Sequence, residues 1–520
     1  MASDPQALSH IQSPTVGKRP DQAAQGGDNA PVDALEWRWL HFAAAIGAVG
    51  ATVFVAWIPL MSQPFWLDET GTWWFARSSL LDSISRATRF QAGSFLFHVI
   101  EWPFGAIFGR NEIALRMPSL LSSLAATALI YRLGGRLFDR GTGAIAAVAF
   151  VSMTWTTVEA TDARPYALAI ATLIAAALML TRWFDTGSRR DAVTYVLLVT
   201  ATIYLHYFIA IGLLAHLWYA AERAEGEPAV SARQLGGAYA AVALLSVPLV
   251  ANLVAVVGKR EALSAPDLQS APEIISSLLP SRPLLLGALL IVLAATVWGH
   301  RSFRGISVRS GTLTFLIAWV LIPPITLTSI STFTGLNVTA ERYFTSILPA
   351  VALLIAATIR GIGAIWPQIV VVAMLAGASV TMRDLPPFRD EDWQAAAAIT
   401  RSAVTSPDTP VLLHSGFIEA KQIDWLTHPE RAHYLNAPAS MYPFGGRVIA
   451  MPFQLDSESA VYLEHLVTTE LADSSEFLLV SRGGDPFTGW FNQRLLSRDM
   501  TSTVLSDLSS QILIIRFARV

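Results

Sequence analysis

The reading of the fold turns on FWLDETGTWW, residues 65–74. An adjacent acidic pair, Asp68 and Glu69, follows a long apolar run and is ringed by Trp66, Trp73 and Trp74. Tryptophans of this kind favour the membrane–water boundary, so the pair is expected where the chain leaves a bilayer. The rest of the chain agrees. Of its 520 residues 53% are hydrophobic and only 14% charged, whereas soluble domains carry about a quarter charged residues. Apolar runs long enough to cross about 30 Å of hydrocarbon recur as far as residue 381. The net charge of −3 gives no nucleic-acid signature. The absence of cysteine excludes disulfides, thiol catalysis and cysteine-based metal sites.

Outward from that stretch the chain divides into three. Residues 1–36, rich in Pro, Gln, Ala, Gly and Asp without periodicity, read as a disordered tail on the cytoplasmic side. Residues 37–382 read as a transmembrane catalytic domain. Spans are expected near 40–60, 113–131, 143–160, 164–182, 192–206, 207–221, 234–256, 283–299, 311–331, 343–361 and 363–381, about eleven in all by length and apolarity. SFLFHVIEWPFGAIF (94–108) is expected as a re-entrant or juxtamembrane helix. After a charged, proline-containing hinge, RDLPPFRDEDW, helix-like and strand-like segments alternate through 383–520. Helices are expected over DEDWQAAAAITRSAV and SESAVYLEHLVTTEL, and strands over PVLLHS, EFLLVS and QILIIRFARV, so this part reads as a small α/β domain.

Orientation follows from arginine. The short connections YRLGGRLFDR, RWFDTGSRRD, AERAEGEPAVSAR and HRSFRGISVRS are basic, which places them in the cytoplasm. Parity then puts residues 61–93, the turn near 159–164, 257–282, 332–342 and the α/β domain outside. Four of these external segments gather charge: FWLDE, VEATDARPYAL, VGKREAL and NVTAERYF. Charge near a membrane is costly to hold unless it serves a function. Carboxylates with arginine and lysine suit a reaction in which a hydroxyl is deprotonated and an anion leaves.

The order of these features resembles the membrane-embedded GT-C glycosyltransferases, in the branch of the protein mannosyltransferases and lipid A aminoarabinose transferases. FWLDE, NEIALRMPSLLSSLAATALIYRLGGRLF, DARPYALAIA, LHYF and ERYFTSILPA carry the resemblance, in the family's order, over residues 40–381. The resemblance implies transfer of a sugar from a polyprenyl-phosphate carrier to a hydroxyl of a glycan, glycolipid or protein, outside a bacterial cytoplasmic membrane, with inversion. Asp68 maps onto the family's catalytic base, and Glu69 stands beside it as a second catalytic candidate. Asp162, Arg164, Tyr166, His206, Tyr207, Lys259, Arg260, Arg342 and Tyr343 are the substrate-binding candidates. Some GT-C enzymes use a divalent metal, but the first loop lacks a D-x-D pair, and neither a metal nor another cofactor is predicted.

Each assignment has a plainer rival. Asp68 is a candidate N-cap for a helix from about residue 69. Asp162 and Arg164 are a candidate local salt bridge. Arg342, Lys259 and Arg260 suit interfacial anchors. His98 and Arg116 read as packing and bracing residues. For the whole chain, the rival is a transporter or flippase of lipid-linked sugars, which usually shows internal repeats; none is evident here.

Overall fold

The computed structural model describes residues 32–90, 95–224, 229–250, 311–336, 338–361, 365–381, 385–484, 486–495, 499–506 and 511–519. Five helices in it are long and apolar enough to cross a membrane: Phe42–Ser62, Glu112–Leu137, Tyr166–Thr186, Thr312–Thr334 and Glu341–Gly361. The chain is an integral membrane protein with a polytopic helical body.

Among the described residues the other expected spans take these forms. The stretch read as one span over 143–160 is a pair of helices bent by 73°, Arg140–Val151 and Thr154–Ala160. The segments read as spans at 192–206, 207–221 and 363–381 form the helix Arg189–Leu205, then Tyr207–Ala210 running through a 3-10 turn into Leu214–Ala224, and the helix Ile365–Thr381. The expected span at 283–299 lies outside the described residues. A helix begins at Val32, within the segment read as a tail, and residues 1–31 lie outside the described residues.

In chain order the helices near the site are α1 (Val32–Thr52), α2 (Leu67–Ala76), α3 (Leu80–Phe90), α4 (Phe95–Phe108), α5 (Glu112–Leu137), α6 (Arg140–Val151), α7 (Thr154–Ala160), α8 (Tyr166–Thr186) and α9 (Arg189–Leu205). Small residues allow α5 and α6 to cross in backbone contact. A Cβ added at Gly134 would lie 2.8 Å from the Gly143 Cα, and one at Gly143 only 2.3 Å from the Tyr131 carbonyl oxygen. Such crossings suit membrane bundles, where close packing takes over from hydrophobic association.

The C-terminal part holds a five-stranded sheet in the order β2-β1-β3-β5-β4. Its strands are β1 (Pro410–His414), β2 (Arg447–Ala450), β3 (Glu476–Arg482), β4 (Met500–Val504) and β5 (Ile512–Arg519). β1 pairs in parallel with β2 and β3, while β5 runs antiparallel to β3 and β4. PVLLH of β1 is buried throughout, as expected of a central parallel strand covered on both faces.

One hydrophobic core joins this sheet to the start of the chain. Phe65, Trp66, Leu67, Trp74 and Phe75 pack with Trp393, Val411, Phe417, Tyr434, Leu478 and Ile514. Trp66 and Trp74 are only 3% and 0% exposed. They are therefore not the lipid-facing belt expected from sequence. Trp74 donates from Nε1 to His433 Nδ1 at 2.8 Å and lies edge-on to Tyr434.

Candidate active site

Trp66, in extended conformation (φ −79°, ψ 175°), is the N-cap of α2, so Asp68 and Glu69 both fall in the first turn. Carboxylates there are favoured by the helix dipole. Glu69 Oε2 accepts the Trp66 N–H at 3.3 Å. The Leu67 N–H donates to Glu391 Oε2 at 2.9 Å, 324 residues further along the chain. The N-cap role weighed for Asp68 is thus corrected: the helix begins one residue before it, at Leu67, and Trp66 is the N-cap.

Asp68 instead faces two guanidinium groups. Its Oδ2 lies 3.3 Å from Arg342 Nη1 and 3.7 Å from Arg164 Nη2. Burial pushes the Asp68 carboxyl up, but Arg342, Arg164 and Arg482 outweigh it and hold the group below the ordinary aspartate range. Its side chain is 22% exposed, so the carboxylate is reachable as well as charged.

Glu69 is placed differently. It has no exposed surface. Oε1 accepts from Arg116 Nε at 2.7 Å and from the Ala163 N–H at 2.8 Å; Oε2 takes the Arg116 Nη2 as well as Trp66. Arg389 Nη1 stands 3.8 Å away. The remaining Arg116 donors reach the carbonyls of Leu60, Met61, Gln63 and Pro64. Glu69 is thus an anchor for the loop before α2, with neither oxygen left facing outward, and the catalytic part expected for it finds no support in this geometry.

The tight turn between α7 and α8 supplies the next residues. The Arg164 N–H closes it onto the Asp162 carbonyl at 2.8 Å. Asp162 Oδ1 accepts the Trp66 indole N–H at 2.9 Å, while burial and the charge of Glu69 push its carboxyl up to about 7. Arg164 makes its ion pair with Asp68, so a local Asp162–Arg164 bridge is not what fixes this turn. Trp66 is shared further: Arg342 lies over its ring at 5.6 Å and Phe388 packs at 4.3 Å.

Four aromatic side chains line the far side of Arg342. Tyr166 and His206 have ring centroids 4.5 Å apart, His206 and Tyr343 5.7 Å, and Tyr343 and Phe208 4.5 Å. His206 Nδ1 also accepts the Ile209 N–H at 3.4 Å and so caps the short helix after α9. Tyr207 is half-buried beside Tyr204. Asp68, Asp162, Arg164, Tyr166, His206, Arg342 and Tyr343 therefore converge, although they come from four well-separated parts of the chain. Lys259 and Arg260 lie outside the described residues. His98 is buried against Glu101 at 3.1 Å, and Arg116 braces the fold as read.

Sequence reasoning missed Arg389, Glu391 and Arg482. Arg389 donates to the Thr161 carbonyl at 2.9 Å, tying the hinge to the end of α7. Glu391 receives Arg482 Nε on Oε1 at 2.7 Å. The available signal was the charge density of RDLPPFRDEDW. Among the described residues no group of three or more His, Cys, Asp or Glu side chains is placed to hold a metal ion.

Comparison with known proteins places this geometry. The family described as dolichyl-phosphate-mannose-protein mannosyltransferase matches residues 94–255, a stretch that begins after Asp68 and ends before Arg342. No curated protein sequence matches the chain. ArnT from Cupriavidus metallidurans in the apo state superposes with a TM-score of 0.52 at 10% identity, over 93% of this chain and 98% of that one. The same protein bound to undecaprenyl phosphate gives 0.52 at 11% identity, with the same coverage. The fold is that of the GT-C membrane glycosyltransferases. The family match covers less than a third of the chain and agrees with that fold.

Proposed function

We propose that the chain is an inverting glycosyltransferase. It moves a hexose or pentose from a polyprenyl-phosphate carrier to a hydroxyl of a glycan, glycolipid or protein, on the outer side of a bacterial cytoplasmic membrane. The observation that carries this reading is the reachable Asp68 carboxylate with Arg342 and Arg164 at 3.3 and 3.7 Å. The likeness to ArnT, which has been seen with undecaprenyl phosphate, supports the choice of carrier.

In the free protein the two guanidinium groups neutralise Asp68. A carboxylate held below its ordinary range is a weaker base. The donor phosphate draws the same groups away, since a planar guanidinium matches phosphate in two-pronged fashion. Asp68 is then released upward in pKa when the donor is in place. It takes the proton of the acceptor hydroxyl as that oxygen attacks the anomeric carbon from the face opposite the phosphate. The bond from that carbon to the phosphate oxygen breaks, the phosphate keeps the electron pair, and Arg342 and Arg164 stabilise its growing charge. Tyr166, His206 and Tyr343 offer aromatic surface and polar edges beside Arg342, suited to a sugar ring.

Mass spectrometry of surface glycans and glycolipids in cells with and without this protein tests the reading. Loss of one sugar from one acceptor class, restored by the wild-type chain, is expected. Loss of that sugar with its lipid-linked donor held on the inner leaflet, rather than accumulating on the outer one, would point to a flippase instead.

A further inference from the structure

We infer that Arg482 and Glu391 are positioning residues of the transfer reaction, so that the α/β part works inside the active site rather than as a separate binding module. This rests on the glycosyltransferase reading above and extends it to residues of the C-terminal half.

Arg482 is the last residue of β3, and Ser415 and Gly416 follow the end of the parallel neighbour β1. The carboxyl ends of parallel strands are where α/β sheets commonly present functional groups. Here that edge abuts α2. Gly71 of α2 is close enough to Phe417 that an added Cβ would lie 3.5 Å from its ring. Gly416 has φ +86°, and a Cβ there would lie 3.0 Å from Arg482 Nη1. A side chain at 416 would therefore be strained and would push Arg482 aside.

Arg482 is tied to the base through one carboxylate. Its Nε and Nη2 both lie 2.7 Å from Glu391 Oε1. The other oxygen of Glu391 accepts the Leu67 N–H at 2.9 Å and the Trp393 indole N–H at 3.3 Å. Leu67 is the first residue of α2 and Asp68 the second. The relay Arg482–Glu391–Leu67 therefore sets where the helix starts, and with it the direction of Asp68. The Glu391 side chain is 2% exposed, so the relay is shielded from competing water.

The charged and titratable groups around Asp68 are Arg342, Arg164 and Arg482, which lower its pKa, with Glu391 and Tyr434 also in its electrostatic range. Removing Arg482 takes away a cation and must move Asp68 upward. Removing the Glu391 charge must move it downward.

The test uses the full-length protein in membranes, a panel of synthetic polyprenyl-phosphate-linked hexoses and pentoses, and cell-envelope material as acceptor. The acid limb of kcat/KM is expected to move to higher pH in Arg482→Gln and to stay in place in Arg482→Lys. In Arg482→Gln kcat is expected to fall by on the order of 10²-fold, since small misplacements of a reacting group cost about that much, with donor KM little changed. Should Arg482→Gln fail to fold, Glu391→Gln decides the question with the opposite sign, because it keeps an acceptor for the Leu67 N–H. An acid limb unmoved in Arg482→Gln, or moved equally in Arg482→Lys, overturns the inference. If the wild-type protein transfers sugar, that failure leaves the glycosyltransferase reading standing. If the wild-type protein transfers none of the panel, both fall together.

Discussion

Arg116 donates to both oxygens of Glu69 and to four backbone carbonyls, with no exposed surface on either side chain. Removing one partner of such a pair leaves a buried charge uncompensated, at about 3–5 kcal/mol. Arg116→Ala and Glu69→Gln should therefore lower the melting temperature sharply in detergent. The Glu69→Gln molecules that do fold should keep most of their transfer rate. A Glu69→Gln protein of normal stability but without turnover would return a catalytic part to Glu69. Arg342 makes a different forecast. Arg342→Lys keeps the charge but loses the planar fork, so undecaprenyl phosphate should bind more weakly, and more weakly still to Arg342→Ala. Equal binding by all three proteins would leave Arg342 as an anchor only. Asp162 adds a pH dependence. Its folded pKa of about 7 lies above the ordinary value of about 3.9. Between those values the folded state holds a proton that the unfolded chain has released, so stability falls as pH rises through that window. Asp162→Asn keeps an oxygen for the Trp66 indole N–H and should flatten the fall. An unchanged slope would show that another group causes it.

At the scale of elements, the crossing of α5 and α6 fixes the frame on which α7 and the Asp162 turn are hung. Gly143→Ala places a methyl against the Tyr131 carbonyl. Overpacking of this kind typically costs about 1–3 kcal/mol. Thermal unfolding should show the loss, and a melting temperature equal to wild type would mean that the helices separate freely. The break between α6 and α7 shows why sequence reading ran past a structural boundary. Composition is apolar on both sides of Ser152, so residues 143–160 read as one span. Yet the Ser152 hydroxyl bonds back to the Val148 carbonyl at 2.8 Å, and the Met153 N–H turns to Phe150 at 3.2 Å. These bonds end the helix locally, and no hydropathy average registers them. Strands β1, β3 and β5 were legible because their apolar runs are short, β-branched or leucine-rich, and bounded by polar turns. β2 and β4 are edge strands with exposed or mixed faces and gave no such run.

For the whole molecule, the membrane body and the sheet meet through the loop that carries Asp68. Half of the site was legible because GT-C motifs are local: FWLDE, DARPY and ERYF each name a residue that the fold brings to Asp68. The other half was not, because Arg389, Glu391 and Arg482 make contacts 91 to 324 residues apart in the chain and no local pattern marks them. The proposed sidedness rests on the arginine bias of the connecting loops, and the cysteine-free chain makes it easy to check. Single cysteines at Ser13 and at the exposed Ser475, probed with a membrane-impermeant thiol reagent, should label only at Ser475 in intact cells; the reverse pattern would invert the site. The central claim rests on Asp68 as the base, and the transfer rate of Asp68→Asn tests it most directly. At equal protein level the variant should bind undecaprenyl phosphate at least as well as wild type, because the two arginines lose a competing carboxylate. Its sugar transfer should be about 10²–10⁴-fold slower, the usual loss on removing a general base. Transfer by Asp68→Asn at the wild-type rate would contradict the account.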